Sequence, residues 1–582
     1  MRRLFTTLSI ITLSVSSYAQ TAETEKQDTT ILKNIEVVKE YNPVIKEVGK
    51  ISTMPDLKEI KTERKKLDIS VWTTPYSIKP SEIPTLDFAT AEQDPKKETK
   101  EHYARLGFGN YKSFLGELYT PIYKNNRNLL DFHILHNSSF GDVKLTPKLY
   151  PNLPDEVKSQ ATNNDTRAKA TYVRSIKNKE LSTFLKVNYD LLKYYGYDSN
   201  MQELAEKGIR ETDNDSLKQS FFRLGANFRF KSKDFISRWK YDFQTNYLLF
   251  KNRDDLSEHT IHTLLSGAYR FDNSSLYLNF DMYNIIMGLP ESNDKFNFER
   301  GETLNNYTLI KLAPNYYFSG EIGEITVGVK GAFSINQGKK GAVTPDVYGK
   351  VRLIKNLLYV YAGVTGDYTV NNYQEITKEN PYISSDTRIE DTYTPIDAYL
   401  GVTLKIAQRV NMDLHAGYKL IENPYFFINR YDTLTGKISN TFDVIYDKKA
   451  GLLNAGLSLN YNWKERLDLH FEGQYNKWAL NELEEAWHKP MWNLNFQSSY
   501  IATDFLRFRL GYQLEAKRYA TVCSEKIALP NTHDLCLGVD YKLFNWLNFF
   551  VNFDNIIGQE YESWYGYTQH RFNVMGGASV VF

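Results

Sequence analysis

Few residues in this chain are equipped for chemistry, and their spacing works against most of it. His133 with His136, and His259 with His262, stand three apart. That spacing puts two metal ligands on one face of a helix but on opposite faces of a strand. Gly107-Phe108-Gly109 lacks the following helix that a phosphate-cradling loop needs, and reads as a hairpin edge. Asp213-Asn214-Asp215 has the oxygen chemistry of a calcium loop, and equally that of a solvated one. Walker, Gly-x-Ser-x-Gly and His-Glu-x-x-His signatures do not occur, and no nucleophile–base set can be assembled. The expectation is a protein that is not an enzyme, with no catalytic residue, no metal site and no cofactor. Cys523 and Cys536 are close enough in hairpin terms to form a disulfide, or stay as two thiols.

A second set of polar residues is more informative, because it recurs at every other position. Arg507, Arg509, Asp413, His415, Lys419, Asp468, His470 and Glu472 alternate with Leu, Val, Phe and Tyr. They are expected on an inward face, beside Asn and Gln. There they form either a hydrogen-bonded, hydrated wall holding an inner plug or arm, or a solute path or a binding site for the N-terminal arm.

The elements that position them are strands. From Leu535 to Leu543, Leu547 to Phe553 and Phe572 to Phe582, apolar residues alternate with small or polar ones. The same pattern repeats from Tyr103 onward, giving about twenty-two strands. Short turns such as Lys177–Lys179, Lys355–Asn356 and Asn545–Trp546 alternate with longer polar loops such as Gly196–Gln219, Glu422–Lys449 and Ile556–His570. A soluble sandwich also alternates along its strands, but has no reason to gather its long loops at one end. A barrel in an outer membrane does, with short periplasmic turns and long external loops.

Met1–Ala19 carries Arg2, Arg3, an apolar run and Ser17-Tyr18-Ala19, the layout of a secretory signal peptide. Residues 20–100 hold prolines at 43, 55, 75, 80, 84 and 95 and read as an extended arm or spacer. Residues 101–582 make the barrel. The formal net charge of +1 excludes a basic nucleic-acid binder, and no nucleic-acid partner is expected. Aromatic residues are 14% of the chain, which suits strands and interfacial girdles. A mean hydropathy of −0.49 is compatible with a membrane barrel, whose lumen and loops are polar.

The ending Asn552-Phe553-Asp554-Asn555-Ile556-Ile557-Gly558, with Tyr561, Trp564-Tyr565-Gly566-Tyr567, Arg571 and Phe582, resembles the last hairpin of TonB-dependent outer-membrane receptors. The resemblance implies a twenty-two-stranded barrel, with Val574, Val580 and Phe582 as its C-terminal assembly signal. It departs from that family in having a Pro-rich arm where the family has a folded plug. The run Glu36-Val37-Val38-Lys39-Glu40-Tyr41-Asn42-Pro43 is similar to the mature start of plugless barrels of the Bacteroidetes type. Leu32–Val38 is loosely similar to a TonB box, which makes Ile35, Val37, Val38 and Tyr41 candidate partner-binding residues. The resemblance implies solute uptake or passage across the outer membrane of a Gram-negative bacterium. Its partners would be the bilayer, lipopolysaccharide, the barrel-assembly machinery, and TonB or an outer-membrane lipoprotein. The alternative is a barrel that transports nothing and scaffolds a cell-envelope complex.

Overall fold

A computed structural model of the protein describes residues 102–145, 158–196, 217–233, 237–288, 306–407, 409–432, 437–522 and 524–582. The expected signal peptide, the arm, its Ile35, Val37, Val38 and Tyr41, the loop Asp213–Asp215 and Cys523 all lie outside them.

Alternation of apolar and polar side chains leaves a strand with one face for lipid and one for water, and twenty-two such strands pair here in one antiparallel sheet. Each pairs with the strand before and after it in sequence. The first, Tyr103–Gly109, also pairs with the last, Asn573–Val581, with Leu106 opposite Ala578. The sheet is therefore closed and has no edge, so its backbone groups are satisfied without water. At the seam the backbones come close. A side chain on Gly577 would strike the Leu106 carbonyl, and one on Gly109 that of Val574.

The outer face is apolar. Val343 is 72% exposed, Leu400 61%, and Leu106, Val327, Val329, Leu414 and Leu453 are exposed beside them. Such a surface is costly in water and suited to hydrocarbon. Aromatic rings gather where the strands meet the short turns: Trp239 on Tyr269 at 4.8 Å, Phe544 stacked on Trp546 at 5.6 Å, and Phe505 on Tyr541 at 5.9 Å. This is the position of an interfacial girdle. Several tight turns use left-handed residues, among them Lys177, Asn356 and Lys464 with Glu465. That twist matches the twist of the strands on either side.

The long-loop end is not loose chain. Lys158–Ile176 runs for 19 residues, well beyond the 9–11 or so that cross a bilayer. Past the strands the chain forms helix α1 (Tyr373–Glu379) and three hairpins outside the barrel sheet: Tyr425–Asp432 with Lys437–Tyr446, Arg518–Val522 with Glu525–Leu529, and Glu562–Trp564 with Tyr567–Thr568. The alternating pattern predicts a strand continuing to Tyr373, but the strand stops at Thr369. Asn372 then caps α1, its side chain accepting from Glu375 N at 2.9 Å.

Candidate functional site

On each strand the residues opposite the lipid-facing ones line the lumen, and most of their charges meet either an opposite charge or a neutral hydrogen-bond partner. Asp413, with Leu414 outward beside it, accepts from Tyr361 OH at 2.8 Å and Thr403 Oγ1 at 2.7 Å, and has His415 Nδ1 at 3.3 Å. Lys419 pairs with Asp397 at 2.9 Å. Asp468 accepts from Asn462; His470 Nδ1 lies 2.6 Å from Asn460 Oδ1, and Glu472 accepts from Gln474 at 3.1 Å. Arg509 pairs with Asp540 at 2.8 Å and donates to Asn552 Oδ1 at 2.9 Å. Arg507 shares its face, opposite Asp540 in register. The candidates form three patches on the wall rather than one site.

The same rule places wall residues that the sequence reading did not single out. Lys311 pairs with Asp367 at 2.9 Å, Lys330 with Asp346 at 3.4 Å, His262 with Asp281 at 2.6 Å, and Arg223 with Asp190. The Arg105 guanidinium lies 3.8 Å over the ring of Phe550, which is 2% exposed. Any of these was available from the alternation, since each sits one or three positions from an outward apolar residue.

The histidine pairs divide between faces. His133 bonds Glu117 at 3.0 Å and His262 bonds Asp281, both on the lumen side; His136 bonds Thr166 at 2.8 Å and His259 bonds Tyr247 at 2.8 Å. Cys536 is a free thiol donating to Asp534 Oδ1 at 3.4 Å. It sits opposite Gly511 in the wall. Val574, Val580 and Phe582 lie on the outward face. Phe582 exchanges backbone bonds with His102 at 2.9 and 3.1 Å, and their rings stack at 5.1 Å.

Above the wall, loops rooted far apart on the ring converge. Tyr373, Ile376 and Ile383 follow the thirteenth strand, Phe427 and Phe442 the fifteenth, and Tyr567 the strand before the last. All six are buried in one cluster. Tyr195, after the fifth strand, donates to Thr568 O at 3.2 Å, and Tyr567 OH donates to Asn440 O at 2.6 Å. Neighbours on a ring can touch anywhere, but residues from such separate strands meet only over the mouth. These loops therefore form a cap.

Polar anchors fix the cap to the rim. Glu258 accepts the backbone N–H of Tyr373 at 2.9 Å, Arg223 donates to Thr377 at 3.1 Å, and Asn252 to Ser385 at 2.7 Å. Arg430 and Asp386 form a two-pronged pair. Burial pushes the Asp386 carboxyl up, but bonds from Arg430 and Ser384 outweigh it and hold it below the ordinary range. Asp391 accepts from Tyr307 OH at 3.1 Å and Asn371 N at 3.2 Å; burial dominates there and raises it to about 6. His488 is buried, with Nδ1 2.9 Å from Phe427 O and Nε2 accepting from Tyr565 N at 3.3 Å. Those partners require the neutral ring, and burial depresses its pKa to about 3.

No family model matches the chain, and no curated protein is similar to it. Solved structures do match. The siderophore receptor PirA from Acinetobacter baumannii is 10% identical, over 84% of this chain and 81% of that one, with a TM-score of 0.62. The copper transporter OprC is 11% identical over 83% and 80%, at 0.58. The ferric-catecholate import receptor Fiu from E. coli K12 is 11% identical over 83% and 82%, at 0.57. At these identities the likeness is one of fold. The described residues form an all-β barrel of twenty-two strands with the fold of these receptors and transporters.

Proposed function

We propose that this protein takes up or passes a solute across the outer membrane through its lumen, with the loop cap as the gate at the external mouth. The observation that carries the reading is the cap itself: a folded layer with its own buried core, standing over a polar, charge-matched wall. A wall of compensated ion pairs offers hydrogen bonds to a polar solute without holding it by net charge. The proteins of like fold are named a siderophore receptor, a copper transporter and a ferric-catecholate import receptor. They make uptake the natural class for this chain, with TonB as the energy-coupling partner to test.

A second reading is a scaffold for a cell-envelope complex, and the packing of the cap favours it, because a fixed docking platform needs such rigidity. Planar-bilayer conductance separates the two. A gated transporter stays closed as purified and conducts when residues 373–391 are replaced by a short linker. A scaffold stays closed after that replacement, and carries a stoichiometric partner, such as a lipoprotein, when purified from outer membranes.

A further inference from the structure

One stretch of the lumen wall departs from this compensation. Lys169 on the fourth strand (Lys158–Ile176) and Lys186 on the fifth (Lys179–Lys193) stand directly opposite each other in register, both on the inward face. Like charges placed so repel and cost the sheet stability. Elsewhere on this face Lys231, Lys311, Lys330, Lys350 and Lys419 each lie within 4.0 Å of a carboxylate. Among the described residues neither Lys169 nor Lys186 forms an ion pair, and the acids around them are engaged elsewhere. Glu117 is with His133 at 3.0 Å, Asp165 with Arg167, Asp190 with Arg223, and Glu375 with Lys378 at 2.6 Å. Each of the two lysines has instead the ring of Phe184, with Nζ 4.8 and 5.9 Å from its centroid.

The surroundings shape this pair into a site. The sixth strand (Lys218–Ser232) puts Gly225 opposite Lys186, and a side chain there would strike the lysine's Cε and Cγ. Glycine thus leaves room for Lys186 to lie across the wall. Two residues away, Arg223 is 7% exposed. Asp190 and Thr377 take two of its donors, while its buried Nε has no hydrogen-bond partner. Thr377 belongs to α1, so the cap's helix comes down beside the two lysines. Lys378, the next residue of α1, is close enough for its charge to act on Lys186. With the other charges paired, the surplus left beneath the cap is that of two ammonium groups.

We propose that Lys169, Lys186 and Arg223 form a binding site for a phosphate group, carried by the solute that enters the lumen or present as the free ion. Charge and shape both favour phosphate over a carboxylate. At neutral pH a phosphate group carries close to two negative charges, matching the surplus, and its oxygens reach donors on separate strands. Lysines meet such an ion as point charges, whereas a carboxylate is best held by the planar fork of an arginine. The arginine here already holds Asp190. Calling the occupant the transported solute rests on the uptake reading; the binding itself does not.

The test is isothermal titration calorimetry of the detergent-purified full-length chain with inorganic phosphate, glycerol 3-phosphate or acetate, in phosphate-free buffer. Wild type is expected to bind a single phosphate group per chain, and acetate about tenfold more weakly. Lys169→Gln and Lys186→Gln should each weaken phosphate by about tenfold, and the double substitution should abolish its binding. Lys448→Gln, which removes an equal charge from an exposed residue paired with Glu482, should bind as wild type does. Tighter binding of glycerol 3-phosphate assigns the site to an organic phosphate, tighter binding of inorganic phosphate to the free ion, and either supports the proposal. Phosphate binding that survives the double substitution overturns it, as does equal affinity for acetate. So does an absence of binding in protein whose heat-modifiable mobility on gels shows it folded. Conductance after replacement of residues 373–391 remains the separate measure of uptake, so a barrel that conducts without binding phosphate sinks this site alone.

Discussion

Tyr382 and Tyr567 lie ring on ring, 3.6 Å between centroids and 22° from parallel, although one follows the thirteenth strand and the other the strand before the last. Tyr195, from the fifth, meets both edge-on, at 6.1 and 5.0 Å. Three loops that sequence keeps hundreds of residues apart thus share one aromatic core.

That core sets the first expectation. Tyr567→Ala removes a fully buried ring and its bond to Asn440. It should cost about 3–5 kcal/mol, taken from the cap rather than the barrel. Hydrogen exchange should show lost protection in α1 and the Tyr425–Tyr446 hairpin, with barrel strands unchanged. Uniform loss across the barrel would show that the cap is not a separate layer.

The cap should also respond to pH in two opposed ways. His488 is held neutral, with its pKa depressed to about 3, so its contribution is present above about 6.5 and is lost as pH falls from there towards 3. Asp391 has its pKa raised to about 6 from 3.8. Its contribution is complete below 3.8 and is lost as pH rises to about 6. Exchange protection of the cap, corrected for intrinsic rates, should fall on acidification in wild type. It should fall less in His488→Gln, and more steeply in Asp391→Asn, where the opposing group is gone.

On the wall, Arg509 is paired and largely buried with Asp540. Arg509→Ala leaves that carboxylate and Asn552 without their partner, and should cost about 3–5 kcal/mol. The unfolding temperature of the heat-modifiable band reads this directly. An unchanged temperature would mean that water replaces the guanidinium.

How much of this was legible in the sequence follows from what each part depends on. The wall depends on a period of two, and Leu414 beside Asp413, or Leu510 beside Arg509, states it outright. The strand number followed from the same rule and from turns such as Lys355–Asn356. The cap depends instead on contacts between distant loops. Nothing local about Tyr382, Phe442 or Tyr567 says that they meet. The loops read as polar connections by their length and their Asn, Asp and Glu residues, and their aromatics carry no mark of a shared core. Helix α1 was hidden for a similar reason. Its first residue ends an apparent strand, its other six fall in a polar loop, and only Asn372 marks the break.

Everything rests on which face of each strand meets lipid, and single cysteines in vesicles test that most directly. With the native Cys523 and Cys536 replaced by serine, Val327→Cys and Leu414→Cys should resist a water-soluble maleimide and be labelled by a lipid-soluble one. Lys330→Cys and Asp413→Cys should show the reverse. Equal aqueous labelling of all four positions, in protein that retains its heat-modifiable fold, would contradict the account.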